Sequence, residues 1–251
     1  MKFLKQIFGT RPASPAIPPE SWAPVEASLP FLARLDDAAR QRLRVLAAEL
    51  IARKEFSGAH GLVVSDEMRL SIALQACLPI LELGIEAYDG WVGIIVYPGD
   101  FVIPRRVVDE DGVMHEYDEE ALGEAWQAGP VVLAWFDERE DYGGANVVIH
   151  EFAHKLDMLN GEADGLPPLH AGMSTDAWLD ALDDAYDDFC DRVDADEETE
   201  IDPYASEHPA EFFAVTSEVF FTEPALLLRE YPAVFEQFKL FYRQDPLARR
   251  G

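Results

Sequence analysis

Asn146-Val147-Val148-Ile149-His150-Glu151-Phe152-Ala153-His154-Lys155-Leu156-Asp157 holds an H-E-x-x-H motif inside a segment that reads as helix. Four residues make slightly more than one helical turn, so His150 and His154 project from one face and can grip one metal ion. Glu151, beside them, can hold a water on that metal. Zinc lowers the pKa of such a water toward neutrality, and a glutamate can take its proton as it attacks a carbonyl. The chemistry suggested is hydrolysis of a peptide bond. The plain alternative is a helix with two surface histidines and a solvated glutamate. Val147, Val148, Ile149, Phe152, Ala153 and Leu156 argue against it, because a helix apolar on most sides belongs to a core. Buried imidazoles and a buried carboxyl need partners, and a metal supplies one.

A catalytic zinc takes three protein ligands and keeps one position open. The best third candidate is Glu211, in Pro209-Ala210-Glu211-Phe212-Phe213-Ala214-Val215, where an acid sits on an otherwise apolar helix. A first-turn glutamate favoured by the helix dipole is the competing explanation. Glu207, His208 and Glu218 are the other candidates. The first two fall in the loop before the helix, and Glu218 suits a group that orients a ligand. Asp157 could orient an imidazole in the same way, or be a solvated helix-end acid. Tyr204 could donate its hydroxyl to an oxyanion, or simply pack. His60, His115 and His170 have no partner spacing and read as surface or structural residues.

The 251 residues are 49% hydrophobic, enough for one large domain or two small ones with a substantial core. The formal net charge of -28 repels phosphates, which argues against direct nucleic-acid binding and against anionic membranes. The acidic run from Asp180 to Glu200 reads as a solvated helix face and loop, with a divalent-cation site as the minority alternative. Cys77 and Cys190 form no C-x-x-C pair, which fits a reducing cytoplasm. The first residues lack the apolar stretch and cleavage site of a signal peptide, and no run is long enough to span a bilayer. The expected location is the cytoplasm.

Residues 1–30 read as a Pro-rich arm, and 31–251 as a single domain. Helical periodicity covers Leu35 to Lys54, with Asp36 as a cap, and Asp66 to Ala76. Trp91–Tyr97, Phe101–Pro104 and Val131–Phe136 read as strands, and Asp109-Glu110-Asp111-Gly112 as a hairpin turn. Val131–Phe136, just ahead of the motif helix, could offer its edge to an extended peptide or be an ordinary sheet strand. Further helices are expected near Thr175–Val193, Pro209–Phe221 and Tyr231–Tyr242. This order predicts one α+β domain, mainly helical with a small antiparallel sheet.

The motif with its continuation Lys155-Leu156-Asp157, the preceding Gly144-Ala145-Asn146-Val147-Val148, and Pro209 to Phe221 together resemble the Mlc titration factor A family. Trp91-Val92-Gly93, Val132-Leu133-Ala134-Trp135 and Phe241-Tyr242-Arg243-Gln244-Asp245-Pro246 extend the likeness over roughly residues 30 to 246. With the H-E-x-x-H motif, the resemblance implies a zincin-like metallopeptidase domain, that of a cytosolic zinc metallopeptidase of the gluzincin type, related in its core to the catalytic domain of anthrax lethal factor. It implies zinc ligands at His150, His154 and Glu211, Glu151 as the base, and aminopeptidase-like activity on small peptide substrates. It also implies an alternative role, binding and sequestering a transcriptional repressor, as the enterobacterial member does with Mlc.

Overall fold

Pro19 and Pro24 do not keep the N-terminal segment extended. In the computed structural model, which describes residues 17–108, 114–136 and 145–248, α1 (Pro19–Ala27) starts with proline where no backbone N–H is needed. It buries Trp22 and Val25, and its Glu26 takes a bidentate pair from Arg44 at 2.6 and 2.8 Å. The later part of the expected arm is therefore folded onto the body; residues 1–16 lie outside the described residues. Arg44 belongs to α2 (Asp37–Arg53), capped as expected by Asp36, whose Oδ1 accepts the Ala39 N–H at 2.7 Å. Ala39, Leu43, Ala47 and Leu50 form its buried stripe against α3 (Asp66–Cys77).

A short β1 (Glu55–Gly58) precedes α3 and pairs in parallel with β2 (Gly93–Pro98). The next two strands, β3 (Phe101–Val108) and β4 (Met114–Ala121), form a separate antiparallel ribbon, Val108 opposite Met114. The expected hairpin is present, although its turn at 109–113 lies outside the described residues. The three-residue β5 (Gly123–Ala125) then pairs antiparallel with β6 (Val131–Trp135), which pairs in parallel with β2.

The main sheet has the order β1-β2-β6-β5. The fold is thus α+β and mainly helical with a small sheet, but that sheet is mixed rather than wholly antiparallel. Parallel neighbours need a connection of a dozen or more residues, and the stretches holding α3 and the ribbon supply them. Val131 to Ala134 are all buried, the continuous apolar run of a strand covered on both faces. The expectation that β6 could present a free edge is overturned, because β6 is interior and β5 takes the edge.

The motif helix is α4 (Val147–Asp157), and every one of its residues is buried. It packs on β5, β6, α3 and the later α6 (Pro209–Thr222). Between them, α5 (Thr175–Asp194) buries Trp178, Leu182, Ala185 and Phe189 while Asp180, Asp183, Asp184, Asp187, Asp188 and Asp191 stay exposed, the solvated face expected. The chain closes with α7 (Pro224–Glu230) and α8 (Pro232–Tyr242). The sequence reading missed α7, a seven-residue helix bounded by two proline starts. Trp178 stacks on Phe238 at 5.7 Å and meets Phe241 edge-on at 5.5 Å, while Phe213 of α6 meets Phe238 at 5.5 Å. Each such pair adds about 0.5–1.5 kcal/mol beyond its buried area, so α5 and α8 stiffen α6, on which α4 packs. Among the described residues no helix is long and apolar enough to cross a membrane.

Candidate metal centre

Asn146 starts α4 and ties it to its neighbours. Its Oδ1 accepts the Ile149 N–H at 3.0 Å, its Nδ2 donates to Gln75 Oε1 at 3.0 Å, and its backbone N–H donates to Glu218 Oε2 at 2.6 Å. The other Glu218 oxygen lies 2.7 Å from His150 Nδ1. One carboxylate of α6 thus fixes both the start of α4 and the ring of its first histidine. With Nδ1–H given to Glu218, a neutral His150 carries its lone pair on Nε2.

That Nε2 points at two other donor atoms. His150 Nε2 lies 3.0 Å from His154 Nε2 and 3.0 Å from Glu211 Oε2, and His154 Nε2 lies 3.2 Å from the same oxygen. Three donors on a nearly equilateral triangle match one face of a zinc tetrahedron, whose ligand atoms stand about 3.3 Å apart at ordinary Zn–N and Zn–O lengths. This is the group of His, Cys, Asp and Glu side chains among the described residues with metal-binding geometry. The electrostatics agree. Burial works against a charge on His150, but the bonds to Glu211 and Glu218 outweigh it and lift the imidazole well above its usual range. Burial also works against the Glu211 charge, yet the two histidines hold that carboxyl far below the usual range. Both shifts come from the same convergence of donors, and a divalent cation there would take the place of a proton.

Glu151 projects beside the triangle toward β5. It is 4% exposed, and its Oε2 has no hydrogen-bond partner. Burial pushes its pKa up to about 8; a cation nearby would draw it back down. A Cβ at Gly123 would stand 2.3 Å from Glu151 Oε1, so only glycine lets the edge strand come this close.

These side chains line a cavity of about 470 Å3 that also takes in Glu124, Met158, Asp202, Tyr204 and Val215. Tyr204, on a 3-10 turn at Pro203–Ser206, has its ring 6.1 Å from that of His150. The sequence candidates His150, Glu151, His154, Glu211 and Tyr204 therefore share one cavity, with Glu218 behind His150. Glu207 is exposed, and His208 instead caps α6, Nδ1 accepting the Ala210 N–H at 3.1 Å.

Asp157 does not meet an imidazole. Its Oδ2 accepts the Gly165 N–H at 2.8 Å, and the Gly165 carbonyl accepts Trp178 Nε1–H at 3.0 Å. Gly165 has φ +84°, and a Cβ there would lie 2.8 Å from the Pro209 carbonyl at the start of α6. Asp157 thus braces the helix that delivers Glu211. His170 is structural, its Nε2 on the Phe241 carbonyl at 2.7 Å, and His60 lies against Tyr97. Sequence reasoning missed Gly123, because three residues of strand carry no readable alternation.

The family described as glucose-regulated metallo-peptidase M90 matches residues 6–243. The chain is 41% identical over 227 residues to Mlc titration factor A of Serratia proteamaculans (strain 568), covering 88% of this chain and 86% of that protein. It is 40% identical over 227 residues to Mlc titration factor A of Yersinia pestis (strain Pestoides F) and of Yersinia pseudotuberculosis serotype O:1b (strain IP 31758), covering 88% of this chain and 84% of each.

Proposed function

Because this chain belongs to the glucose-regulated metallo-peptidase M90 family, we propose that it is a cytoplasmic zinc-dependent peptidase of aminopeptidase-like action on short peptides. His150, His154 and Glu211 would hold the ion. Zinc held there would supply a Lewis acid able to polarise a scissile carbonyl and acidify a water. Glu151 would accept the proton of the attacking water at its carboxylate and return it to the leaving amine. Glu218 keeps the His150 ring turned, and Tyr204 donates its hydroxyl to the developing oxyanion. The free cysteines, Cys77 and Cys190, are consistent with a reducing compartment.

The observation that carries this reading is the carboxyl of Glu151. It is buried with an unpartnered oxygen, next to three converging donors, at the wall of a cavity. A structural metal site has no use for such a group. Glu151→Gln should keep one zinc per chain while chelator-sensitive hydrolysis of amino-acid anilides and short peptides falls by about 10²–10⁴-fold. Full hydrolysis by that variant would end the peptidase reading.

The relatives' name, Mlc titration factor A, favours a second reading, capture of a transcriptional repressor. The same variant separates the two, since binding of a purified Mlc-type repressor should survive the loss of the base.

A further inference from the structure

Lys155 stands four residues after Glu151 on α4, so both side chains leave the helix on one stripe, toward the β5–β6 hairpin. Glu151 meets Gly123 at one end of that hairpin. Lys155 meets the other end. Its Nζ donates to the carbonyls of Trp126 at 2.6 Å, Gln127 at 3.2 Å and Gly129 at 3.3 Å, the turn that follows β5. The turn is closed on itself by Gly129 N–H to the Trp126 carbonyl at 3.1 Å and Trp126 N–H to the Pro130 carbonyl at 3.2 Å. Lys155 is only 3% exposed, and its ammonium lies 4.8 Å from the centre of the Trp91 ring.

The Lys155 ammonium carries three hydrogens and so can serve three carbonyls aimed at one point. An apolar residue here would remove the donor that the three carbonyls share, leaving the Trp126 oxygen only the Gly129 N–H. β5 has only three residues and a single neighbour, so pairing with β6 alone restrains it weakly.

We propose that Lys155 is a positioning residue that clamps the Trp126–Gly129 turn to α4 and so holds the β5 edge strand against the Glu151 carboxyl. The part of this that concerns catalysis rests on the peptidase reading; the clamp itself does not. With the turn fixed, Gly123 forms a rigid wall on one side of Glu151 and the carboxyl keeps one orientation toward the cavity. With the turn loose, the wall retreats, water reaches the carboxyl and the base loses its aim.

The test compares zinc-loaded wild type, Lys155→Met and Lys155→Arg by peptide-resolved hydrogen exchange and by kcat and KM on one anilide substrate. Exchange over residues 121–130 should quicken by about tenfold or more in Lys155→Met, while the 147–157 helix keeps its protection and zinc stays at one per chain. kcat should drop by about 10–100-fold with KM moving less than about threefold. Lys155→Arg, which keeps the charge and several donors, should recover most of both. Unchanged exchange over 121–130, or an equal rise in α4, overturns the clamp. If Lys155→Met does not fold, Lys155→Gln, which lacks the charge and one donor, decides: loosening confined to 121–130 supports the proposal, and none there, or loosening everywhere, overturns it. If wild type hydrolyses nothing, the peptidase reading fails while the exchange comparison still judges the clamp.

Discussion

Two clusters of buried charge touch α4, and the fold treats them in opposite ways. On one side Lys54 and Lys155 flank Trp91, their ammonium groups 3.6 and 4.8 Å from the ring centre. Each is bonded to backbone carbonyls, Lys54 to those of Tyr88 and Trp91 at 2.5 and 2.6 Å. Among the described residues neither forms an ion pair with a carboxylate. Burial pushes both lysines down to about 8. On the other side His150, His154, Glu211 and Glu151 crowd together, and His154 Nδ1 and Glu151 Oε2 have no hydrogen-bond partner. The lysines are satisfied by neutral dipoles and a π face, so nothing further is needed there. The second cluster points lone pairs at a common centre, an arrangement that calls for a cation. The two lysines have partners in backbone carbonyls, whereas the carboxyl that would serve chemistry is left with spare capacity.

That contrast can be broken most severely at Glu211. Glu211→Gln removes the anionic corner of the triangle, and zinc affinity measured by competition with a chromophoric chelator should fall by more than about 100-fold, beyond what a residue behind the ligands costs. Retained affinity would mean that the triangle is not the metal site. Glu218→Gln is the intermediate case. Its amide cannot accept from both the Asn146 N–H and His150 Nδ1–H, so affinity or kcat should fall by about 10–100-fold with the fold intact by circular dichroism.

The smallest effect belongs to the lysine cluster. Lys54 has its pKa lowered in the folded protein by burial, so between about pH 8 and the ordinary lysine value of about 10.4 the unfolded chain binds more protons than the folded one. Stability therefore rises with pH across that window, and Lys54→Met should flatten the rise without touching zinc content. Urea midpoints at pH 7.5 and pH 10 measure it; an unchanged slope would show that Lys54 is not held charged at a cost.

Much of the site is legible in the chain. Spacing alone puts His150 and His154 on one face, and an acid on the apolar Pro209–Phe221 segment marks Glu211. The caps at Asp36 and the proline start at Pro209 could also be read, because capping depends on neighbours only a few residues away. The sheet was less legible. β1 and β5 have four and three residues, too short for a pattern. The alternative for β6 turned on which strand lies outside it, a matter of pairing between distant segments.

Local periodicity and residue chemistry were thus enough, from the letters alone, to single out His150, Glu151, His154 and Glu211, which the fold brings to one cavity. Folding in three dimensions was needed to put β5 at the edge, to bring Gly123 onto Glu151, to turn Asp157 toward Gly165 and to wrap Lys155 in the Trp126–Gly129 turn. The reason is physical. A histidine or glutamate announces itself by its side chain, whereas a backbone carbonyl or amide is the same at every position and becomes a partner only where the chain happens to pass.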